Sequence, residues 1–177
     1  EQISQIALLE KEGKVRVETL EESSLWFRSK YKLTPPTTFV ATRDWNIQEN
    51  LKTVWYNSRF YRVSFLFDNN ELSIRDLHLF DENYVSRYYT DSLENDESVF
   101  DALPILNAHY WSDDERAAIN LVKFVNDSIE GLKCEEPEFS VINDLTYKID
   151  FKVNNQDFNI ICKENSIKFQ YENIGGI

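Results

Sequence analysis

The sequence TYKIDFKVNNQDFNIICKENSIKFQYE, residues 146–172, decides the fold class of this chain. Apolar and polar side chains alternate along it with a period of two, the spacing at which residues share one face of a β-strand. Two short polar breaks interrupt the alternation, Asn154-Asn155 and Glu164-Asn165, and asparagine tolerates the positive φ that two-residue hairpin turns need. The stretch therefore predicts three antiparallel strands joined by two tight turns.

Closing both turns fixes which side chains lie opposite one another. The nine inward positions, all apolar or aromatic, then form three cross-strand rows: Tyr147–Cys162–Ile167, Ile149–Ile160–Phe169 and Phe151–Phe158–Tyr171. A slip of one residue would turn all of them to solvent, so the pattern strongly specifies the register. Because Phe158 is central in its row, we expect Phe158→Ala to destabilise the protein by about 3–5 kcal/mol.

Composition extends the β assignment to the rest of the chain. The 177 residues include 12 Phe, 9 Tyr and 4 Trp, whose flat rings pack well across strands. This length suits one domain with a substantial core. We predict a mainly β protein, an antiparallel β-sandwich of meanders with one short helix, forming a single domain over residues 1–177. The alternative is a division into two sub-structures, 1–111 and 112–177.

Charge and hydropathy exclude several kinds of partner. The net charge of −12 would repel nucleic acid and anionic membrane surfaces. No apolar run approaches the roughly 20 residues of a membrane span. We therefore expect no nucleic-acid binding, no membrane insertion and, in the absence of a glycine-rich phosphate loop, no cofactor. The compartment stays open, with an extracytoplasmic bacterial setting favoured.

Two cysteines are present, Cys134 and Cys162. Strand parity turns Cys162 inward, which predicts a buried, free and inert thiol. Cys134 lies in a polar connection, and we expect it to react with thiol reagents if it is free. The alternative is a disulfide between the two.

A second meander is predicted from strands at 51–56, 59–67 and 72–80. Its last hairpin places Phe67 opposite Leu72, with further apolar pairs continuing inward along both strands.

Continuing that register puts Asp76 opposite Val63 and His78 opposite Tyr61, so two ionisable side chains interrupt an apolar stripe. A buried carboxylate beside a histidine is costly unless it is hydrogen-bonded, and pairs with tuned pKa values are typical of functional sites. The interpretation we favour is a β-bulge at Arg75-Asp76, which sends Asp76 and His78 to solvent. It also turns the leucines at positions 77 and 79 inward.

The N-terminal residues carry weaker signals. Residues 14–20 alternate after Gly13 and are predicted as a strand, and residues 25–33 as its returning partner. The pattern of residues 1–12 fits a short helix or a strand.

Two structures compete for the region after residue 112. Ser112 followed by Glu115 is a capping-box pattern, which predicts a helix through about Val125. The rival interpretation is a short helical turn to Ala118 followed by a hairpin, with its turn at Asn126-Asp127 and Phe124 facing Ile129.

Function is indicated by clusters that mix aromatic rings with hydrogen-bonding groups. Sugar rings present apolar C–H faces and hydroxyl edges, which suit such surfaces. The long irregular stretch 81–111 is expected to border the site, although its rings could instead fill the core. The candidate ligand-binding residues are Arg43, Asp44, Trp45, Trp55, Tyr88 and Tyr89.

The leading hypothesis is a non-catalytic ligand-binding module of a secreted or surface bacterial system, binding carbohydrate or another small amphipathic ligand. An interaction or scaffold domain with a protein partner is the first alternative. A glycan-active hydrolase using acidic residues is the second. No residue is assigned a catalytic role, and the histidines lack the spacing of a metal site.

Overall fold

The computed structural model describes residues 2–42, 51–89, 91–92, 94–96, 103–109, 112 and 115–171. Backbone contacts divide the chain into two compact units, Glu1–Thr34 and Pro35–Ile177. The predicted single domain over residues 1–177 is a statement about how the chain folds. It stays a prediction, because backbone contacts alone do not test it.

The first unit holds two helices, α1 (Gln2–Lys11) and α2 (Leu20–Lys30), so the strands predicted at 14–20 and 25–33 are wrong. A capping box starts α2, because the Thr19 hydroxyl accepts a hydrogen bond from the Glu22 amide while the Glu22 carboxylate accepts one from the Thr19 amide. These hydrogen bonds hold the pKa of Glu22 below its usual value. Neither helix contains a buried residue.

The second unit is mainly antiparallel β-structure, as predicted. Its strands are β1 Thr37–Ala41, β2 Leu51–Asn57, β3 Tyr61–Asp68, β4 Glu71–Leu79, β5 Leu103–Asn107, β6 Ile119–Asn120, β7 Val122–Val125, β8 Ser128–Gly131, β9 Glu135–Asn143, β10 Thr146–Val153, β11 Gln156–Lys163 and β12 Ser166–Tyr171. The first sheet has the order β1-β2-β3-β4-β5, and β6 also pairs with β4. The second sheet has the order β12-β11-β10-β9, and β7 pairs with β8 in a separate hairpin. A 3₁₀ turn covers Arg87–Tyr89.

The register predicted for residues 146–172 is confirmed in all three cross-strand rows. Asn154 and Asn155 adopt φ values of 51° and 61°, the left-handed pair that a tight hairpin needs. The rows are not buried throughout, however. On the edge strand β12, Phe169 is 50% exposed and Tyr171 62% exposed, because the facing sheet covers the centre of the second sheet more fully than its edge.

One apolar core lies between the two sheets and makes the unit a sandwich. Its buried members are Val54, Tyr56, Tyr61, Val63, Phe65, Phe67, Leu72, Cys134, Tyr147, Ile149, Phe151, Val153, Ile160 and Cys162. Two tyrosine hydroxyls tie the first sheet to turns of the second. Tyr56 donates to the Leu145 carbonyl at 2.8 Å, and the Tyr61 hydroxyl lies 2.7 Å from the Lys163 carbonyl. Burial raises the pKa of both phenols.

The helix predicted from Ser112 through Val125 is wrong. The hairpin of the rival interpretation is confirmed, but residues 115–118 form no helical turn. Phe124 faces Ile129 across β7 and β8. The turn residues Asn126 and Asp127 have φ values of 47° and 66°. The Ser112 hydroxyl does accept a hydrogen bond from the Glu115 amide at 3.1 Å, so the local cap forms without a helix after it.

Both cysteines are free and buried, which excludes the disulfide. The inward position of Cys162 is confirmed. Cys134, predicted to react because it lies in a polar connection, is also buried: its amide donates to the Asn70 carbonyl and draws this segment against the β3–β4 turn. Burial raises the pKa of Cys134 to about 11 and that of Cys162 to about 12.

Phe158→Ala is expected to lower the free energy of unfolding by about 3 kcal/mol, the low end for a phenylalanine truncation, because Phe158 is only partly buried. Its ring stacks on Phe151 and Tyr171 at centroid distances of 5.9 and 5.7 Å. Urea denaturation measures the change. Phe169→Ala, at a half-exposed site on the same face, is the matched control and should cost less than about 1 kcal/mol. Equal losses would contradict the core assignment.

Native thiol labelling at pH 8 should be slow at both cysteines. A thiol with a pKa of about 11, as for Cys134, has roughly one part in a thousand thiolate at this pH, and burial limits access further. Labelling by Ellman's reagent should become fast only in urea. Rapid labelling of Cys134 in the native protein would contradict its buried position.

Candidate functional site

A β-bulge at Arg75 interrupts the pairing of β3 with β4. Phe65 pairs with Ile74, whereas Ser64, the residue before Phe65 in β3, pairs with Asp76. Arg75 is therefore the extra residue in β4. Beyond the bulge Val63 pairs with Leu77. The favoured prediction of a bulge at this position is therefore confirmed.

The predicted consequence of the bulge for Asp76 and His78 is wrong. Both leave the core face, as expected, but they are only 2% and 6% exposed rather than solvated. Leu79, expected inward, is 41% exposed. The outer face of the first sheet is thus itself covered around Asp76, and the opposing Ser64 is buried there too.

Asp76, Arg62 and His78 form one polar cluster on this outer face. Arg62 binds Asp76 through two hydrogen bonds, Nε to Oδ1 at 2.8 Å and Nη2 to Oδ2 at 3.1 Å. His78 Nε2 lies 3.2 Å from Arg62 Nη2 and 3.5 Å from Asp76 Oδ2. The His78 ring nitrogen thus lies close to both members of the Arg62–Asp76 pair.

An aromatic side chain flanks this cluster. Trp55 pairs with Ser64 across β2 and β3, so its indole projects from the same face as Arg62 and Asp76. The Arg62 guanidinium carbon lies 6.0 Å from the centroid of the indole ring. Phe39, opposite Trp55 on β1, is exposed. A flat apolar ring and a fixed donor–acceptor pair thus lie side by side.

The bulge residue holds the segment that follows β5. The buried Arg75 guanidinium donates to the Ala108 carbonyl at 2.8 Å and to the Ala117 carbonyl. The Ala108 amide in turn donates to the Arg75 carbonyl at 2.8 Å. One side chain therefore ties both ends of residues 108–117 to the first sheet.

A depression of about 370 Å³ lies on the first sheet beside this segment. Two ion pairs flank it, Asp68 with Arg116 at 2.6 Å and Glu71 with Lys133 at 2.7 Å. Its lining residues are Leu66, Asp68, Asn69, Glu71, Ser73, Arg75, Arg116, Ala118 and Asn120.

A second depression, of about 360 Å³, lies on the outer face of the second sheet. Its lining includes Lys148, Asp150 and Asn159, and the Lys148 ammonium pairs with the Asp150 carboxylate at 2.7 Å. The Asn159 Oδ1 atom is buried without a hydrogen-bond partner among the described residues. No tryptophan lines this depression, which separates it from the predicted aromatic site.

Of the predicted ligand-binding residues, the structure places Trp55 beside the polar cluster. Arg43, Asp44 and Trp45 lie outside the described residues, so their role stays a prediction. Arg62 was missed by the sequence reasoning, although the signal was present. It has the strand parity of Ser64 and faces the position that a bulge gives to His78.

Tyr88 and Tyr89 lie on the 3₁₀ turn and are 42% and 89% exposed. No ring contact joins either of them to Trp55 within the described residues. The same stretch is more regular than expected, because β5 pairs with β4 and sets Asn107 opposite Asp76. The end of this stretch therefore borders the polar cluster, while the role predicted for the two tyrosines stays open to test.

Within the described ranges, no group of three or more His, Cys, Asp or Glu side chains is placed to hold a metal ion. No helix in the same ranges is long and apolar enough to cross a membrane. No protein-family model, curated protein or solved structure matches this chain. Function therefore has to be inferred from the geometry of the site.

Arg62→Met should lower the free energy of unfolding by about 2–3 kcal/mol, because it leaves the Asp76 carboxylate buried without its guanidinium. The loss is less than for a fully buried pair, since the Arg62 side chain is 38% exposed. Chemical denaturation measures it. Arg116→Met, which breaks an ion pair open to solvent, is the matched control and should cost at most about 1 kcal/mol. The double variant Arg62→Met/Asp76→Asn should recover part of the loss, and no recovery would contradict the pairing.

Proposed function

We propose that this protein is a non-catalytic carbohydrate-binding module whose site is the outer face of the first sheet around Trp55. The observation that supports it most is the position of the Trp55 indole beside the Arg62–Asp76 pair, on the face opposite the sandwich core. An aromatic ring in that setting provides stacking area next to directed polar groups.

The two parts of the site match the two parts of a sugar. The Trp55 indole is partly buried, and its accessible part offers a flat surface for the apolar C–H face of a pyranose ring. The partly exposed Arg62 offers N–H donors for hydroxyl oxygens at the ring edge. Asp76 is too buried to be a major ligand contact, and in this proposal it is a positioning residue that holds the guanidinium in one orientation. A donor fixed before binding loses less conformational freedom when the ligand arrives.

The electrostatics favour a neutral ligand. Arg62 is paired with Asp76, Arg116 with Asp68, and Lys133 with Glu71. Since the charges within each of these three pairs are matched, the pairs add no excess of one sign that would attract an ionic ligand. Binding by stacking and hydrogen bonds should then depend only weakly on salt.

The same pairs weigh against the hydrolase alternative. Glycoside hydrolysis uses two carboxyl groups on either side of the scissile bond, one of them acting as an acid. Asp68 and Asp76 each accept hydrogen bonds from an arginine, so their oxygens are engaged within the protein. A binding role fits these carboxylates better than catalysis.

A protein-interaction role is the second candidate, and the first unit favours it. Neither α1 nor α2 contains a buried residue, and apolar side chains such as Ile3, Leu20 and Trp26 are exposed. Exposed apolar groups of this kind are typical of surfaces that meet a protein partner.

Trp55→Ala should abolish glycan binding, or weaken it at least tenfold, on a glycan array and in calorimetry of the strongest hit. The reason is the loss of the stacking surface. Trp26→Ala, a matched change at an exposed tryptophan of the first unit, should leave the affinity unchanged. Melting temperatures of both variants control for folding.

The double variant Tyr88→Ala/Tyr89→Ala belongs in the same comparison, since the irregular stretch was predicted to border the site. Loss of binding in that variant with full binding by Trp55→Ala would move the site to the 3₁₀ turn. A wild-type protein that binds no glycan would contradict the proposal and leave the protein-partner role as the better one.

A further inference from the structure

The Trp55 site and the depression beside Arg116 are parts of one continuous face. Trp55 pairs with Ser64, and the next row of the same face pairs Thr53 with Leu66. Leu66 already lines the depression, which continues to Asp68. The stacking surface and the depression are therefore separated by a single step of two residues along the strands.

The length of this face exceeds one sugar ring. From Ser64, opposite the indole, to Asp68 is four residues, which corresponds to about 13 Å along a strand that rises about 3.3 Å per residue. A monosaccharide stacked on Trp55 would leave the distal part of the face empty. A ligand that uses both parts has to contain several units.

The middle and the far end of the face differ in chemistry. Between the two ends, Leu66 lines the depression but is only 7% exposed. At the far end, Arg116 and Asp68 form an ion pair whose side chains remain 40% and 26% exposed. Donors and acceptors thus recur at the two ends of the face, at Arg62 and at the Asp68–Arg116 pair. Such spacing suits a chain of rings that presents hydroxyls at intervals.

The far end is held in place before any ligand binds. Arg116 and Ala118 flank Ala117, which is fully buried and whose carbonyl accepts from the Arg75 guanidinium. The Arg116 backbone is therefore tied to the bulge of β4, and its side chain is oriented by Asp68. A preformed second contact adds affinity without a large ordering cost.

On these grounds we infer that the ligand is an extended, neutral, β-linked oligosaccharide that lies along the strands from Trp55 to the Asp68–Arg116 pair. This rests on the proposed function and specifies its ligand class. A β-1,4-linked chain is flat and straight, and it offers a C–H face to the indole while its hydroxyls reach the two arginines. An α-1,4-linked glucan coils and would leave a face along the strands after one or two units.

The test is calorimetric titration of the full chain with cello-oligosaccharides and chito-oligosaccharides of one to six units, beside malto-oligosaccharides. Affinity for at least one β-1,4 series should rise tenfold or more from one unit to the length that reaches Arg116, and then level off. Arg116→Met should remove that gain while the affinity for the shortest ligand that binds is kept. Arg16→Met, a change at an ion-paired arginine of the first unit, is the matched control and should leave the length dependence intact.

The outcomes separate this inference from the proposed function. Equal affinity at every length, a length gain that survives Arg116→Met, or preference for the α-1,4 series would overturn the extended-ligand inference even where Trp55→Ala abolishes binding. Absence of binding to both β-1,4 series would also overturn it, while a different glycan found on the array would still support a carbohydrate site.

Discussion

The β-bulge at Arg75 is the constraint on which the outer face of this sandwich depends. One extra residue in β4 changes the parity of every position that follows it. Leu77 can then pack against the core, while Asp76 and His78 join the face that carries Arg62 and Trp55. The extra residue, Arg75, has no partner position on β3, and its guanidinium donates to the carbonyls of Ala108 and Ala117. The packing of Leu77, the polar cluster and the attachment of Ala108 and Ala117 to the first sheet thus all follow from this one bulge.

The buried Asp76 carboxylate is a costly feature on energetic grounds. Removing two charges from water offsets most of the attraction between them, and apolar residues of similar volume often stabilise a protein as well or better. The second sheet, by contrast, keeps most of its central inward positions apolar and buried. In the proposed function, the bidentate pair beside Trp55 serves to orient a donor for the ligand.

Local sequence determined the parts of the fold whose causes are local. The alternation in residues 146–172 and the asparagine pair at 154–155 specify both the strands and their register, and the structure confirms them. Leu77 indicated the bulge in the same local way, because only a bulge turns this apolar side chain toward the core. Local signals also misled where two of them compete. Ser112 and Glu115 form a cap without a helix, because the Asn126-Asp127 turn and its flanking strands compete for the residues that follow.

The candidate site was harder to predict because its burial depends on distant residues. The bulge prediction sent Asp76 and His78 to solvent, since nothing near them in sequence covers that face. In the structure Arg75 holds the carbonyls of Ala108 and Ala117, more than 30 positions away, and Arg62 pairs with Asp76 across the sheet. Cys134 was misassigned for the same reason, because its burial comes from a contact with Asn70. Trp55 was identified by residue type alone, and its partners became evident only from the register.

Amide and indole chemical-shift mapping during titration with cello-oligosaccharides or chito-oligosaccharides tests the central claim most directly. The account predicts that the Trp55 indole N–H and the amides of β2, β3 and residues 116–120 shift together, while the Trp26 indole stays fixed. Shifts confined to the 3₁₀ turn at Arg87–Tyr89, or to the outer face of the second sheet, would contradict a binding site on the outer face of the first sheet.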